Sequence, residues 1–135
     1  MARGEFAQVS VVVDATVVLA ILFDEPGGDI VASMSHGAVL SAVNAVEVLE
    51  KLVERRGGAA SDAATLPERL DITIVPFDKH QTLLAAEWKP LFAGKDISLA
   101  ERACLALGRY LELLVLTAER AWTQLDVGVD IRLIR

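Results

Sequence analysis

Hydrophobic positions along this chain come in two alternating patterns: short runs rich in β-branched residues, and longer stretches whose apolar side chains recur every three or four positions. The first pattern fits strands, and the second fits helices that pack by one face. Residues 9–13 (VSVVV) predict a strand closed by Asp14. Thr16 then opens an apolar stretch over 16–23 that reads as a helix, stopped at Glu25-Pro26-Gly27. Ile30, Val31 and Met34 stand at helical spacing within 28–35, and AVLS at 38–41 is short enough for a second strand. Residues 44–56 place Val48, Leu49, Leu52 and Val53 on one helical face, with Gly57-Gly58 as the stop. The Ala-rich stretch 59–70 reads as helical, 72–75 as a third strand ended by Pro76, and 78–88 as a helix cut near Pro90. Residues 98–111 predict a second clear amphipathic helix, 113–116 a fourth strand, 118–125 a short helix and 129–134 a last strand. Strands alternating with helices predict an α/β fold, a mainly parallel sheet covered on both faces. No internal repeat, low-complexity tract or long linker divides the chain, so 1–135 reads as one domain with 1–8 as a flexible lead-in.

Composition narrows the function classes. A domain of 135 residues buries a substantial core without disulfides or a structural metal. Hydrophobic residues make up 53% and mean hydropathy is +0.44, yet no apolar run approaches the roughly 18 residues that span a bilayer, so the surplus apolar surface is expected to meet a partner rather than a membrane. The start, MARGEFAQ, has no apolar stretch followed by a small-residue cleavage site, which favours the cytoplasm. The single cysteine, Cys104, sits among Ala103, Leu105 and Ala106 and reads as a buried thiol. Net charge is −6, from 13 Lys and Arg against 19 Asp and Glu, which is not the balance of a protein that grips nucleic acid through bulk attraction. Binding to RNA or DNA would have to use local cations: Lys51, Arg55 and Arg56, then Arg102, Arg109 and Arg120, each of which also fits an ordinary solvated helix face.

The chemistry-bearing pattern is acidic. Asp14 closes VSVVVD, Glu47 follows VLSAVNAV, Glu101 opens the helical stretch SLAERACLALGRY, and Glu119 follows LLVLTA. In an open parallel sheet the ligand crevice lies beyond the carboxyl ends of the strands, where strand order reverses. Asp14 and Glu119 sit at two such ends, and Glu47 and Glu101 are expected in first turns of helices, where the macrodipole favours carboxylates. Four carboxylates packed together repel, so a shared site calls for a cation, and magnesium or manganese suits an all-oxygen donor set. Helix capping is the competing reading: Ser98-Leu99-Ala100-Glu101 fits a capping box, Asn44-Ala45-Val46-Glu47 fits one loosely, and Asp14 or Thr117 serves as a simple N-cap. Capping gives no reason for four acids to converge, and the two roles are compatible. Metal-dependent phosphodiester chemistry is the function the pattern suggests.

The segments VVVDATVVLAILFDEPG, SAVNAVEVLEKL, ISLAERACLAL and VLTAERAW resemble the successive motifs of PIN-domain proteins, most closely the VapC toxins of type II toxin–antitoxin pairs, over nearly the whole chain. Asp14 and Thr16 match the family's D-x-[ST], and Glu47 matches its early-helix Glu. The third and fourth acids are usually Asp in that family, in S-L-x-D-R and T-x-D-R-x-W contexts, and here they are Glu101 and Glu119. The resemblance implies a PIN-like α/β/α fold with strand order 3-2-1-4-5. It also implies a Mg²⁺- or Mn²⁺-dependent endoribonuclease that acts on RNA, forms a homodimer and is blocked by a cognate VapB-like antitoxin. Asp14 would be the central ligand, Glu47 and Glu101 would help to hold metal directly or through water, Glu119 would hold metal or orient the attacking water, and Thr16 and Thr117 would orient carboxylates from behind. Glu adds a methylene and a rotatable bond, whereas Mg²⁺ demands near-ideal octahedral geometry at roughly 2.0–2.1 Å. Two such exchanges predict weaker metal binding and reduced activity.

Three other readings stand beside this one. A PIN-like protein that has lost cleavage and survives as a binding or regulatory module is motivated by the two glutamates. A receiver-like phosphoacceptor domain needs an acidic pair after the first strand and a late Lys, and the chain has Asp14-Ala15 and ends with Arg132 and Arg135. A dinucleotide-binding domain needs G-x-G-x-x-G after the first strand, which is absent. His36 and His80 fall in no motif and read as surface residues, and Trp88 and Trp122 read as core or interface residues rather than base-stacking platforms.

Overall fold

The computed structural model describes residues 11–33, 37–92 and 97–135. The expected lead-in at 1–8, the first two residues of the first predicted strand, Met34 and His36 lie outside them. Strand β1 (Val11–Val13) leads into α1 (Ala15–Leu22), then α2 (Asp29–Ala32), β2 (Ala38–Ser41), α3 (Ala42–Arg56), α4 (Ala60–Ala63), α5 (Leu66–Arg69), β3 (Ile72–Val75), α6 (Lys79–Trp88), α7 (Leu99–Leu111), β4 (Leu114–Thr117) and β5 (Ile131–Leu133). The five strands form one sheet in the order β3-β2-β1-β4-β5 with every pairing parallel, the topology that the resemblance implies.

The sheet divides the core into two. Side chains alternate across a strand, so Val11 and Val13 face one side and Val12 the other. Register then carries the split across the sheet, because Val12 lies opposite both Val39 and Val115. These three join Ala85 and Trp88 of α6 and Cys104, Leu105 and Leu107 of α7 in one cluster. Val11, Val13, Leu40, Ile72 and Leu116 join Val17 and Val18 of α1 and Val48 and Leu52 of α3 in the other. Near-continuous apolar strands are what a sheet covered on both faces requires. The apolar helices over 16–23 and 48–53 therefore pack mainly on the sheet, as expected, with Val46 left 54% exposed as part of an outward minority.

Four local expectations are corrected. Helix α3 begins at Ala42 rather than 44, because Ser41 ends β2 and also caps the helix, its Oγ accepting from Val43 N at 3.3 Å. The stretch 59–70 is two four-residue helices, with a break where Thr65 Oγ1 donates to Asp62 O and Pro67, which lacks an amide proton, starts the next turn. Strand β4 starts at Leu114 rather than 113: Glu112 closes α7 in the left-handed region and the Leu113 amide returns to Gly108 O at 3.1 Å, so it is spent on the helix end. Within 118–125 only Arg120–Gln124 is helical, as a 3-10 turn. Among the described residues no helix is long and apolar enough to cross a membrane.

Gly108 is where α7 and the sheet approach most closely. A Cβ there would lie 2.4 Å from Cγ2 of Val115, a side chain that is fully buried. Gly108→Ala is expected to destabilise the protein by about 1–3 kcal/mol, the typical cost of overpacking, despite alanine's better helix propensity. Urea unfolding of the two proteins measures it.

Candidate active site

The chain turns away from β1 toward β2 on one side, while β4 lies on the other, so the strand order reverses between β1 and β4. A crevice forms at such a point beyond the carboxyl ends of the strands. Asp14, the residue after β1, occupies its floor. Its amide continues the ladder to Leu116 O at 3.3 Å, and the residue is only 3% exposed. Its Oδ1 accepts from Val17 N at 3.1 Å, which caps α1, and from Thr16 Oγ1 at 2.6 Å. Its Oδ2 accepts from Thr117 Oγ1 at 2.6 Å. Each hydroxyl is oriented in turn by a backbone donor, Thr16 Oγ1 accepting from Ala118 N at 3.0 Å and Thr117 Oγ1 from Glu119 N at 2.9 Å. Capping and site building coexist in this one carboxylate. Burial pushes the Asp14 carboxyl up from its ordinary value. The hydrogen bonds from Thr117, Thr16 and the Val17 amide oppose the rise, and the charge of Glu119 adds to it.

The other three acids arrive from separate elements. Glu119 follows β4 by two residues, is exposed, and its amide bonds back to Thr117. Glu47 lies in the second turn of α3, not the first, because the helix starts earlier than its apolar pattern. The loose capping box at Asn44 is likewise not formed: Asn44 is inside the helix, and its Nδ2 donates to Glu47 Oε1 at 3.3 Å and to Ala100 O of α7 at 2.9 Å. Glu101 is in the first turn of α7, and Ser98 Oγ caps its amide at 3.1 Å. The reciprocal half of that capping box is absent, because Glu101 Oε2 accepts from Trp122 Nε1 at 3.0 Å.

Asp14, Glu47, Glu101 and Glu119 line one cleft of about 80 Å³ together with Ala15, Thr16, Asn44 and Trp122. Four carboxylates in one lining suit a hard divalent cation in kind. Asn44 adds a further oxygen: its residue is 2% exposed, and Oδ1 has no hydrogen-bond partner among the described residues, which is costly for a buried acceptor. The acids are nevertheless not gathered. Among the described residues, no three His, Cys, Asp or Glu side chains are arranged to hold one ion. Asp14, Glu47 and Glu101 are each held instead by neutral donors.

Asn44 and Trp122 are site residues that sequence reading missed. Trp122 is a core residue as expected, 1% exposed, and two signals were available: it ends the stretch that resembles T-x-D-R-x-W, and a buried indole N–H needs an acceptor. Cys104 is free and fully buried, as expected, and burial, with the charges of Asp14, Glu47 and Glu101, pushes its thiol well up. Of the basic residues, Arg102 donates to Ala85 O at 2.8 Å, Arg56 donates to Leu22 O at 2.8 Å, and Arg55 and Arg56 cover the Phe23 ring. His80 is exposed against Tyr110 and away from the cleft lining, while Trp88 is buried in the core.

Comparison with known proteins follows the fold. The toxin–antitoxin complex from Klebsiella pneumoniae superposes with a TM-score of 0.74 at 10% identity, covering 93% of this chain and 98% of that one. VapC20 of Mycobacterium tuberculosis, a sarcin–ricin-loop-cleaving toxin, gives 0.66 at 18% identity over 78% of this chain and 87% of its own. A third solved structure, VapBC-5 of M. tuberculosis, gives 0.64 at 20% identity over 94% and 99%. No curated protein sequence matches the chain. The PIN-domain model, in contrast, matches residues 11–128. That match spans the sheet from β1 to the turn before β5 and includes all four cleft acids, and on it the chain belongs to the PIN-domain family.

Proposed function

We propose that this protein is a divalent-metal-dependent endoribonuclease of the VapC kind, held in check by a cognate antitoxin. The carrying observation is the convergence of Asp14, Glu47, Glu101 and Glu119 from four elements onto one cleft at the switch point of the sheet. These four would hold Mg²⁺ or Mn²⁺. When bound, the cation supplies Lewis acidity toward the phosphate and lowers the pKa of water. Asp14, fixed by two hydroxyls and a backbone amide, is the rigid anchor, because its rotamer is set by three donors. Thr16 and Thr117 act through Asp14 by holding its oxygens apart and fixed. Glu119, exposed and lining the same cleft, would hold the cation or orient the attacking water. VapC20, similar in fold, is a sarcin–ricin-loop-cleaving toxin, which supports RNA as the substrate class.

The partner reading has its own support. Solved neighbours are toxin–antitoxin complexes, and Val46, Leu49, Val53 and Ala60 line a groove of about 520 Å³ along α3 flanked by Glu50 and Glu54. An antitoxin helix with an apolar face and basic flanks fits it. A homodimer and a cytoplasmic setting complete the proposal.

Purified protein given RNA is expected to cut it with Mg²⁺ or Mn²⁺ and to stop on addition of EDTA. Cleavage that continues in EDTA overturns the metal-dependent reading. The second reading, a PIN-like module that binds without cutting, is favoured by the ungathered carboxylates and by Glu at 101 and 119.

A further inference from the structure

Glu101 is held by an indole. Its Oε2 accepts from Trp122 Nε1 at 3.0 Å, across the boundary between α7 and the 3-10 turn after β4. Trp122 is 1% exposed, so its N–H has no water to turn to and depends on this acceptor. The Glu101 amide is satisfied by Ser98 Oγ, and its carboxylate bonds the indole. Asn44, which also lines the cleft, bonds Ala100 O, pinning the backbone just before Glu101, and its buried Oδ1 has no partner among the described residues. The cleft therefore has one carboxylate bonded to an indole of its own lining.

We propose that Trp122 is a positioning residue that latches Glu101 to the cleft wall in the cation-free protein, and that binding a divalent cation requires Glu101 to leave the indole. The proposal rests on the reading of the cleft as a cation site, and it names a regulation of that site. It also gives the glutamate a reason. An aspartate at 101 would end about 1.5 Å short, one C–C bond, and lose the reach to Trp122 from the same helix position. The longer arm trades ligand geometry for a latch.

Mg²⁺ titrations by calorimetry and by tryptophan emission test this on wild type, Trp122→Phe and Glu101→Asp. The chain has two tryptophans, and Trp88 is packed in the core with α6, so the difference between wild type and Trp122→Phe isolates Trp122. The expected results are a saturable emission change in wild type, no such change in Glu101→Asp, and about tenfold tighter Mg²⁺ binding by Trp122→Phe. The tenfold figure is what losing one competing hydrogen bond to a charged group brings. If wild type takes up Mg²⁺ with unchanged emission, or Trp122→Phe binds no tighter, the latch is overturned while the cation site stands. If no variant releases heat with Mg²⁺, the cation reading fails, and the latch with it. Should Trp122→Phe not fold, Glu101→Asp decides: binding without an emission change supports the latch, and a persisting change overturns it.

Discussion

Asp14→Asn protein, assayed with Mg²⁺ on an RNA that the wild type cuts, leaves the RNA intact to within a loss of more than about 100-fold. Loss of residues that merely orient metal ligands typically costs about 10–100-fold, and Asp14 is the central carboxylate that such residues orient here. Asparagine keeps the shape and keeps an oxygen to cap α1, so the protein should fold. It removes the charge, and its amide cannot accept from both threonines. Activity near wild type would refute Asp14 as the anchor.

The same substitution has a thermodynamic signature in the absence of metal. Burial raises the Asp14 carboxyl in the folded state above its unfolded value. A raised folded-state pKa means that the folded protein favours the protonated form. The associated stability is fully present below the unfolded value, about 3.9, and is lost as pH rises through the higher folded value. Wild type should therefore lose stability relative to Asp14→Asn as pH climbs from about 4 toward neutrality, and saturating Mg²⁺ should reduce that deficit at neutral pH. Thermal melts of both proteins across pH, with and without Mg²⁺, read both effects.

Restoring the family's aspartates gives the second large effect. The double variant Glu101→Asp/Glu119→Asp is expected to bind Mg²⁺ more tightly and to cut RNA on the order of tenfold faster at limiting Mg²⁺. Each glutamate must freeze an extra torsion to present its carboxylate, at roughly 0.5–1.5 kcal/mol per ordered side chain, and two such savings amount to about a factor of ten. Glu119 is exposed and loses the most freedom on ordering, whereas Glu101 also has the indole to leave. A double variant as silent as wild type, in a protein still folded, would favour the module that binds without cutting.

Much of the site was legible because its acids sit at grammatical positions of the chain. Asp14 ends a β-branched run and Glu101 follows an N-cap serine, so strand end and helix start are visible in local sequence. The start of α3 was misplaced because its apolar stripe begins with Ala45 and Val48, whereas the cap, Ser41, is also the last residue of β2. A residue serving two elements shows only one of them to a periodicity reading. Asn44 and Trp122 were illegible as site residues for a different reason: their partners are 56 and 21 residues away, and no local pattern marks an amide or an indole for such a partner.

By itself the sequence determined the alternation of strand and helix, the two-sided burial of a parallel sheet and the four acids, since these follow from side-chain periodicity and cap chemistry within a few residues. Only the tertiary structure decided that Asp14 would be the buried floor, that Glu101 would bond Trp122 rather than close its capping box, and that Asn44 would tie α3 to α7. Such outcomes depend on which desolvated donor meets which acceptor once the sheet has set β1 beside β4, and that meeting is a property of the packed interior rather than of any local stretch of chain.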